Sequence, residues 1–190
     1  MNIEQYRDKK IIVYIGNMGI AQDMDFIIDV IEKFKSYDLE SIFLFIGRGN
    51  ELKNLKNKAE IKNLENLKFF NEIPHKNALN LLKKCSVGLI SLDPRHKSHN
   101  IPGKFISYLQ SGLPVIARIN PKSDLEDLIT KNNVGVVYSD YNVDEFANMI
   151  NDMIKDQIEL NKKGLNARSL YKNKFETKSA YLQLIGHIRL

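Results

Sequence analysis

Six short apolar runs recur along the chain, and the stretches between them return an apolar residue every three or four positions. The runs are 11–15 (IIVYI), 42–46 (IFLFI), 67–70 (LKFF), 87–92 (VGLISL), 114–117 (PVIA) and 134–138 (VGVVY). A continuously apolar strand must be covered on both faces, and helices in the crossovers between parallel strands supply that cover. The pattern predicts one doubly wound, Rossmann-like α/β domain of six parallel strands over residues 1–190. Helices are expected at 23–34, 51–61, 77–84, 102–111, 124–131, 143–155, 157–175 and 177–188. In the first of these, Met24, Ile27, Ile28, Ile31 and Phe34 share a face. Ser123 is placed to cap the helix at 124–131 through its hydroxyl.

Composition narrows the class. The chain's 190 residues are 43% hydrophobic and 27% charged, the balance of a folded soluble domain. No apolar run nears the roughly 18 residues that cross a bilayer. MNIEQYRDKK has no apolar core and no cleavage site, so no signal peptide is expected, and a cytoplasmic location follows as the default. Cys85 is the single cysteine, which excludes an internal disulfide. It reads as a small packing residue more readily than as a reactive thiol. His75, His96, His99 and His187 follow no zinc-ligand spacing, and no metal is expected. The net charge of +5 suits anionic ligands without identifying one. Nucleic acid is disfavoured as a partner, because there is no Trp, no aromatic cluster for stacking and no concentrated basic helix.

Ligands of such sheets sit beyond the carboxyl ends of the strands. That rule selects the loops at 16–22, 47–50, 71–75, 93–103 and 118–123. In the first, Gly16, Asn17, Met18 and Gly19 form either a phosphate-approaching turn or a plain strand-to-helix turn. Arg48, between Gly47 and Gly49, is either a phosphate fork or a surface arginine. The loop at 93–100 carries Arg95, His96, Lys97 and His99, which either bracket a diphosphate or stay solvated. Asp124 and Glu126 suit the first turn of a helix, where carboxylates are stabilised regardless of catalysis.

The richest stretch is 98–117, SHNIPGKFISYLQSGLPVIA. Pro102 fits the first helical turn, Gly103 permits close backbone approach, and Lys104 adds an ammonium beside the helix N-terminus. Gly112 ends the helix and Pro114 opens the next strand. Helix dipole, amide donors and a cation converging there make a diphosphate seat; the same spacing also suits a capped helix with a solvated lysine.

This stretch resembles the donor-site signature of family-4 glycosyltransferases, which have the GT-B fold. Its Pro-Gly-Lys-Phe and Tyr-Leu-Gln-Ser-Gly-Leu-Pro-Val order is most similar to bacterial O-antigen transferases of the N-acetylfucosamine type. The resemblance runs from about residue 10 to residue 190 and covers only the C-terminal, donor-binding half of such an enzyme.

The resemblance implies roles for individual residues. Gly16, Met18 and Gly19 would face the diphosphate or the sugar. The backbone at Glu72 and Ile73 would bind the base, most often uracil, and Gly103 and Lys104 would hold the diphosphate. The reaction that the resemblance implies is transfer of a sugar from UDP, with retention and without a metal, to a lipid-linked or glycan acceptor. The acceptor-binding N-terminal domain would join in cis or in trans, and residues 157–190 would pack towards it. The chain alone would be inactive, and peripheral association with the membrane's inner face would fit such an acceptor.

The chain also departs from the family pattern. Where many members carry a pair of glutamates with seven residues between them, it has His99 and Ser107, and where many carry a basic pair in the first loop it has Asn17 and Gln22. His99 is then the candidate for proton or charge work, Ser107 for ribose contact, and phosphate charge would rest on Lys104, Arg48 and Arg95-His96-Lys97. Two rival functions share the architecture: a non-catalytic sugar-nucleotide-binding subunit of a split transferase, and a UDP-sugar epimerase, whose acid–base groups have no evident place here.

Overall fold

The computed structural model describes residues 3–37, 40–97 and 100–176. Six parallel strands form one sheet in the order β3-β2-β1-β4-β5-β6. They are β1 (Lys10–Asn17), β2 (Ser41–Arg48), β3 (Leu67–Phe70), β4 (Val87–Ser91), β5 (Val115–Arg118) and β6 (Gly135–Tyr138). The helices are α1 (Met24–Lys33), α2 (Leu52–Ile61), α3 (His75–Leu82), α4 (Gly103–Ser111), α5 (Asp124–Lys131), α6 (Val143–Lys155) and α7 (Gln157–Leu170). Strand side chains alternate between faces, so β1 sends Ile12 and Tyr14 towards α1, α2 and α6, and Ile11 and Val13 towards α3, α4 and α5. The order reverses between β1 and β4, which opens a crevice at the carboxyl ends of those strands. The expected fold class is the one observed.

Local differences have local causes. β1 and β2 run past their apolar cores, pairing Gly16 with Gly47 and Asn17 with Arg48, so residues expected in loops are strand ends. Glycine makes this possible. Gly16 and Gly47 adopt φ of +127° and +150°, and a Cβ on Gly47 would stand 2.0 Å from the Gly16 carbonyl oxygen. Pro102 sits one residue before α4, as its N-cap, with ψ of 138°. α3 starts at His75, directly after Pro74. The expected helix at 157–175 divides into α7 and a π-helical turn, Tyr171–Phe175. The helix expected at 177–188 lies outside the described residues. Ser123 caps α5 as expected, its hydroxyl accepting from the Glu126 N–H at 3.2 Å.

One side chain fixes where α4 begins. Tyr108 is fully buried with its ring against Gly88, where a Cβ would lie only 2.5 Å away. Its hydroxyl donates to the Leu89 carbonyl (3.1 Å) and accepts from the Ile15 N–H (3.2 Å). α4 is thereby hooked onto β1 and β4 with its N-terminus at the crevice.

Two substitutions separate backbone constraint from open space. Gly47→Ala should cost at least about 3 kcal/mol, from a forbidden φ and a backbone collision, and lower Tm by on the order of 10 °C. Gly103→Ala, where a Cβ meets nothing within 4 Å, should stay within about 0.5 kcal/mol of the parent. Thermal melts followed by circular dichroism decide both; an unchanged Tm in Gly47→Ala would contradict the close strand approach.

Candidate functional site

The crevice gathers groups from β1, β2, β4 and α4. Lys104, in the first turn of α4, folds back over β1. Its Nζ stands 3.6 Å from the centroid of the Tyr14 ring and presses against Gly16, where a Cβ would lie 3.3 Å from it. The Tyr14 hydroxyl donates to the Asn17 carbonyl. An ammonium over an aromatic face is attracted by the ring quadrupole, yet loses water in gaining it. Burial dominates and pushes the Lys104 amine down to about 7. Pro102 brings no side-chain cap to the α4 N-terminus, and a Cβ on Gly103 would meet nothing within 4 Å among the described residues. Ser107, one turn further on, turns its hydroxyl back to the Gly103 carbonyl at 3.4 Å.

The first loop is internally satisfied. Gln22 Oε1 accepts from Asn17 Nδ2 (3.1 Å) and from the Gly19 N–H (3.0 Å). A Cβ on Gly19 would lie 2.8 Å from Asn17 Nδ2 and 3.2 Å from Asn50 Oδ1. The two positions expected to align with the family's basic pair thus meet as a neutral carboxamide pair, and the Gly19 amide is already engaged. Met18 departs from its expected place. Its side chain is fully buried in the core, its N–H donates to the Arg48 carbonyl at 2.7 Å, and its carbonyl accepts from the Glu51 N–H. It anchors the loop and presents no side chain to the crevice.

Beside Gly16, a cleft of about 450 Å³ opens at the ends of β1, β2 and β3. Ile15, Gly16, Asn17, Arg48, Glu72 and Ile73 are among the residues lining it. Arg48 Nε lies 3.2 Å from Glu72 Oε2 across the mouth, both side chains well exposed. Arg95 is likewise engaged, its Nη2 lying 2.6 Å from Asp93 Oδ2. That guanidinium, joined by the Tyr141 hydroxyl at 2.7 Å, holds the Asp93 carboxyl well below the usual range. Of Arg48, Arg95 and Lys104, Lys104 alone has no carboxylate partner among the described residues. His99 lies outside the described residues.

The remaining candidates take packing or capping roles. Asp124 and Glu126 are in the first turn of α5, and Glu126 accepts from the Lys122 N–H. Cys85 is half-buried, with burial pushing its thiol up to about 12. Among the described residues, no three of His, Cys, Asp and Glu converge to hold a metal, and no helix is long and apolar enough to cross a membrane.

Sequence reasoning missed Tyr14, Tyr108 and a buried ion pair. Arg118 ends β5 with no exposed surface, and its Nη1 lies 2.9 Å from Asp23 Oδ2 at the start of α1. The available signal was a lone arginine closing the apolar run PVIAR.

Known proteins share this framework. The glycosyl transferases group 1 family model matches residues 2–170. A probable glycosyltransferase of Pseudomonas aeruginosa, WbjE, is 23% identical over 135 residues, which are 71% of this chain and 33% of that protein. Among solved structures, Anabaena HepE in complex with UDP superposes with a TM-score of 0.80 at 15% identity, covering 96% of this chain and 49% of that one. TarM of S. aureus, in a complex that includes UDP, gives 0.78 at 21%, covering 94% and 35%. The C-terminal domain of LpcC, a group 1 family protein from Francisella tularensis, gives 0.71 at 17%, covering 88% and 87%. The chain therefore spans about a third of its curated relative and about half of HepE. With a family match running through almost every described element of a GT-B-type sheet, the chain belongs to the glycosyl transferases group 1 family.

Proposed function

We propose that this chain is the donor-binding domain of a glycosyltransferase and that it holds a UDP-sugar across the crevice between β1 and α4. The observation that carries this is Lys104: an ammonium without a carboxylate partner among the described residues, set on Tyr14 beside Gly16 at the N-terminus of α4. Amide donors, helix dipole and cation all favour a diphosphate at that point. On this reading the cleft beside Glu72 and Ile73 takes the base, and Ser107, one turn into α4 from Gly103, contacts the ribose. The UDP complexes of HepE and TarM support uracil as the base.

The chemical task is to stabilise negative charge as it builds on the leaving diphosphate. A preformed ammonium and helix N-terminus do this without a metal. On this reading an acceptor-binding N-terminal domain joins in cis or in trans and the chain alone does not complete a transfer; that the chain spans a third to a half of its relatives' length is compatible with such a domain. On the resemblance of the residue order at 102–115 to O-antigen transferases, the acceptor is a cell-surface glycan or a lipid-linked saccharide at the membrane's inner face, and the anomeric centre is retained.

Lys104→Ala should raise the UDP dissociation constant about tenfold, the loss of one charge-assisted contact, and leave uridine within about twofold. Calorimetry with UDP, uridine and ATP measures this. Equal losses for UDP and uridine would remove the phosphate assignment, and no UDP binding at several times 1 mM, on the order of a weak-ligand limit, would remove the donor site.

Burial also predicts a pH dependence. The free site holds the Lys104 amine near 7, and a bound diphosphate raises it, so binding above pH 7 takes up a proton. Affinity for a UDP-hexose, whose diphosphate does not titrate there, should be full below pH 7. It should fall as pH rises beyond 7, by up to about tenfold per unit. Calorimetry at pH 8.5 in buffers of different ionisation enthalpy reads the proton directly. Zero uptake there would show that Lys104 does not meet the phosphates.

A further inference from the structure

Behind the crevice, on the α1 and α6 side of the sheet, lies an ion pair that packing alone does not require. Arg118 is wholly buried. Its guanidinium lies against two rings, 3.9 Å from the centroid of Phe26 and 4.8 Å from that of Tyr141. Nη1 reaches Asp23, Nε donates to the Asp140 carbonyl at 3.3 Å, and Nη2 finds no acceptor among the described residues. A buried charge left partly unsatisfied is poor evidence of stabilisation. Asp23 adds a second cost: it adopts the left-handed region at φ 44°, and its side chain makes no capping bond to α1. A cation at the N-terminal end of a helix is a third, opposed by the dipole. Unfavourable features kept together at the mouth of a site call for a role there.

The connections supply one. Asp23 ends the first loop, whose C-terminal part is also held by the Gln22 N–H to the Gly19 carbonyl (3.1 Å), the Ser91 hydroxyl to the Gln22 carbonyl (2.6 Å), and the Asp93 N–H to the Ala21 carbonyl (3.0 Å). Tyr141, stacked on Arg118, donates its hydroxyl to Asp93, which holds Arg95. One guanidinium thus fastens the first loop, the loop after β4 and the loop after β6.

We propose that Arg118 is a positioning residue: acting through Asp23 and Tyr141, it sets the first loop and the loop after β4 against the α4 N-terminus, so that the diphosphate seat is formed before the donor arrives. This rests on the donor-site reading. A preformed seat gains affinity by avoiding the cost of ordering, and the gain falls on the phosphates, since the base cleft is lined by the ends of β1 and β2, by Glu72 and Ile73 and by α3, none of which pairs with Arg118, Asp23 or Tyr141 among the described residues.

Asp23→Asn tests it, because asparagine keeps the shape and tolerates the left-handed backbone while removing the charge. Two readouts apply. Without ligand, amide hydrogen exchange at Gln22 and Asp93 should accelerate at least about tenfold while the amides of β2 and β3 keep their protection. With ligand, the UDP dissociation constant should rise about tenfold and that of uridine should not. Arg118→Lys, which keeps the charge but lacks the planar fork, should reproduce both effects in part. Tyr141→Phe, at an exposed position that should not disturb folding, should accelerate Asp93 and spare Gln22. If the variants lower only Tm, with exchange and the UDP-to-uridine ratio unchanged, the pair is a packing element and the proposal falls. If the parent protein binds no UDP, the donor reading fails separately, and exchange at Gln22 and Asp93 still decides whether Arg118 holds the loops.

Discussion

The close parallel run of β1 against β2 past the end of the core governs everything at the carboxyl edge. The ladder continues through Gly16–Gly47 and Asn17–Arg48 to a further bond between the Met18 N–H and the Arg48 carbonyl. No side chain fits between the two backbones at Gly47 or Gly49, where a Cβ would approach Gly16 and Met18 carbonyl oxygens to 2.0 Å. This extension carries Gly16 out to the height of the α4 N-terminus. There, the absence of a side chain leaves room for Lys104 to lie on Tyr14. Tyr108 supplies the other half of the alignment by hooking α4 to β1 and β4. The lysine's position thus follows from backbone spacing on one side and one buried hydroxyl on the other.

Electrostatics then sort the cations. Arg48 faces Glu72 with both side chains exposed, where screening by water keeps the pair weak, and Arg95 is held by Asp93, whose own side chain is largely covered. Lys104 differs in losing solvent without gaining a carboxylate, and its depressed basicity records that loss. A depressed amine next to open space is in a state that an anion would relieve. The same property places the titration of a lysine in the neutral range, far from its ordinary value.

Much of the framework was legible in the sequence, because continuous apolar runs admit few structures other than a covered parallel sheet. All six strands stand where the runs placed them, and the caps at Ser123 and Gly112 followed from local chemistry. What stayed hidden depends on contacts between distant residues. The Asp23–Arg118 pair joins positions 95 apart, and Tyr141 reaches Asp93 across 48. No periodicity encodes such pairs. Met18 lies in the loop as expected but turns its side chain into the core, because its backbone is pinned to Arg48 and Glu51, contacts that the loop sequence does not announce. The pairing of Arg48 with Glu72 was equally invisible, since the two meet only where β2 and β3 end side by side.

Charge balance gives the neutral first loop a physical sense on the donor-site reading. A sugar diphosphate brings two negative charges. Lys104 offers one positive charge when protonated, and the α4 dipole adds the equivalent of about half of another. The Asn17–Gln22 pair contributes hydrogen-bonding capacity without charge, so the seat is left slightly short of neutralising the ligand. A seat that under-compensates the bound donor gains strength as charge accumulates on the departing phosphate, since the interaction of a fixed ammonium grows with the charge opposite it. Such differential stabilisation needs the groups held in place beforehand; loops free to follow the charge would spend the gain on their own reorganisation. The stiff, locally unfavourable fastening around Arg118 is what that requirement would select.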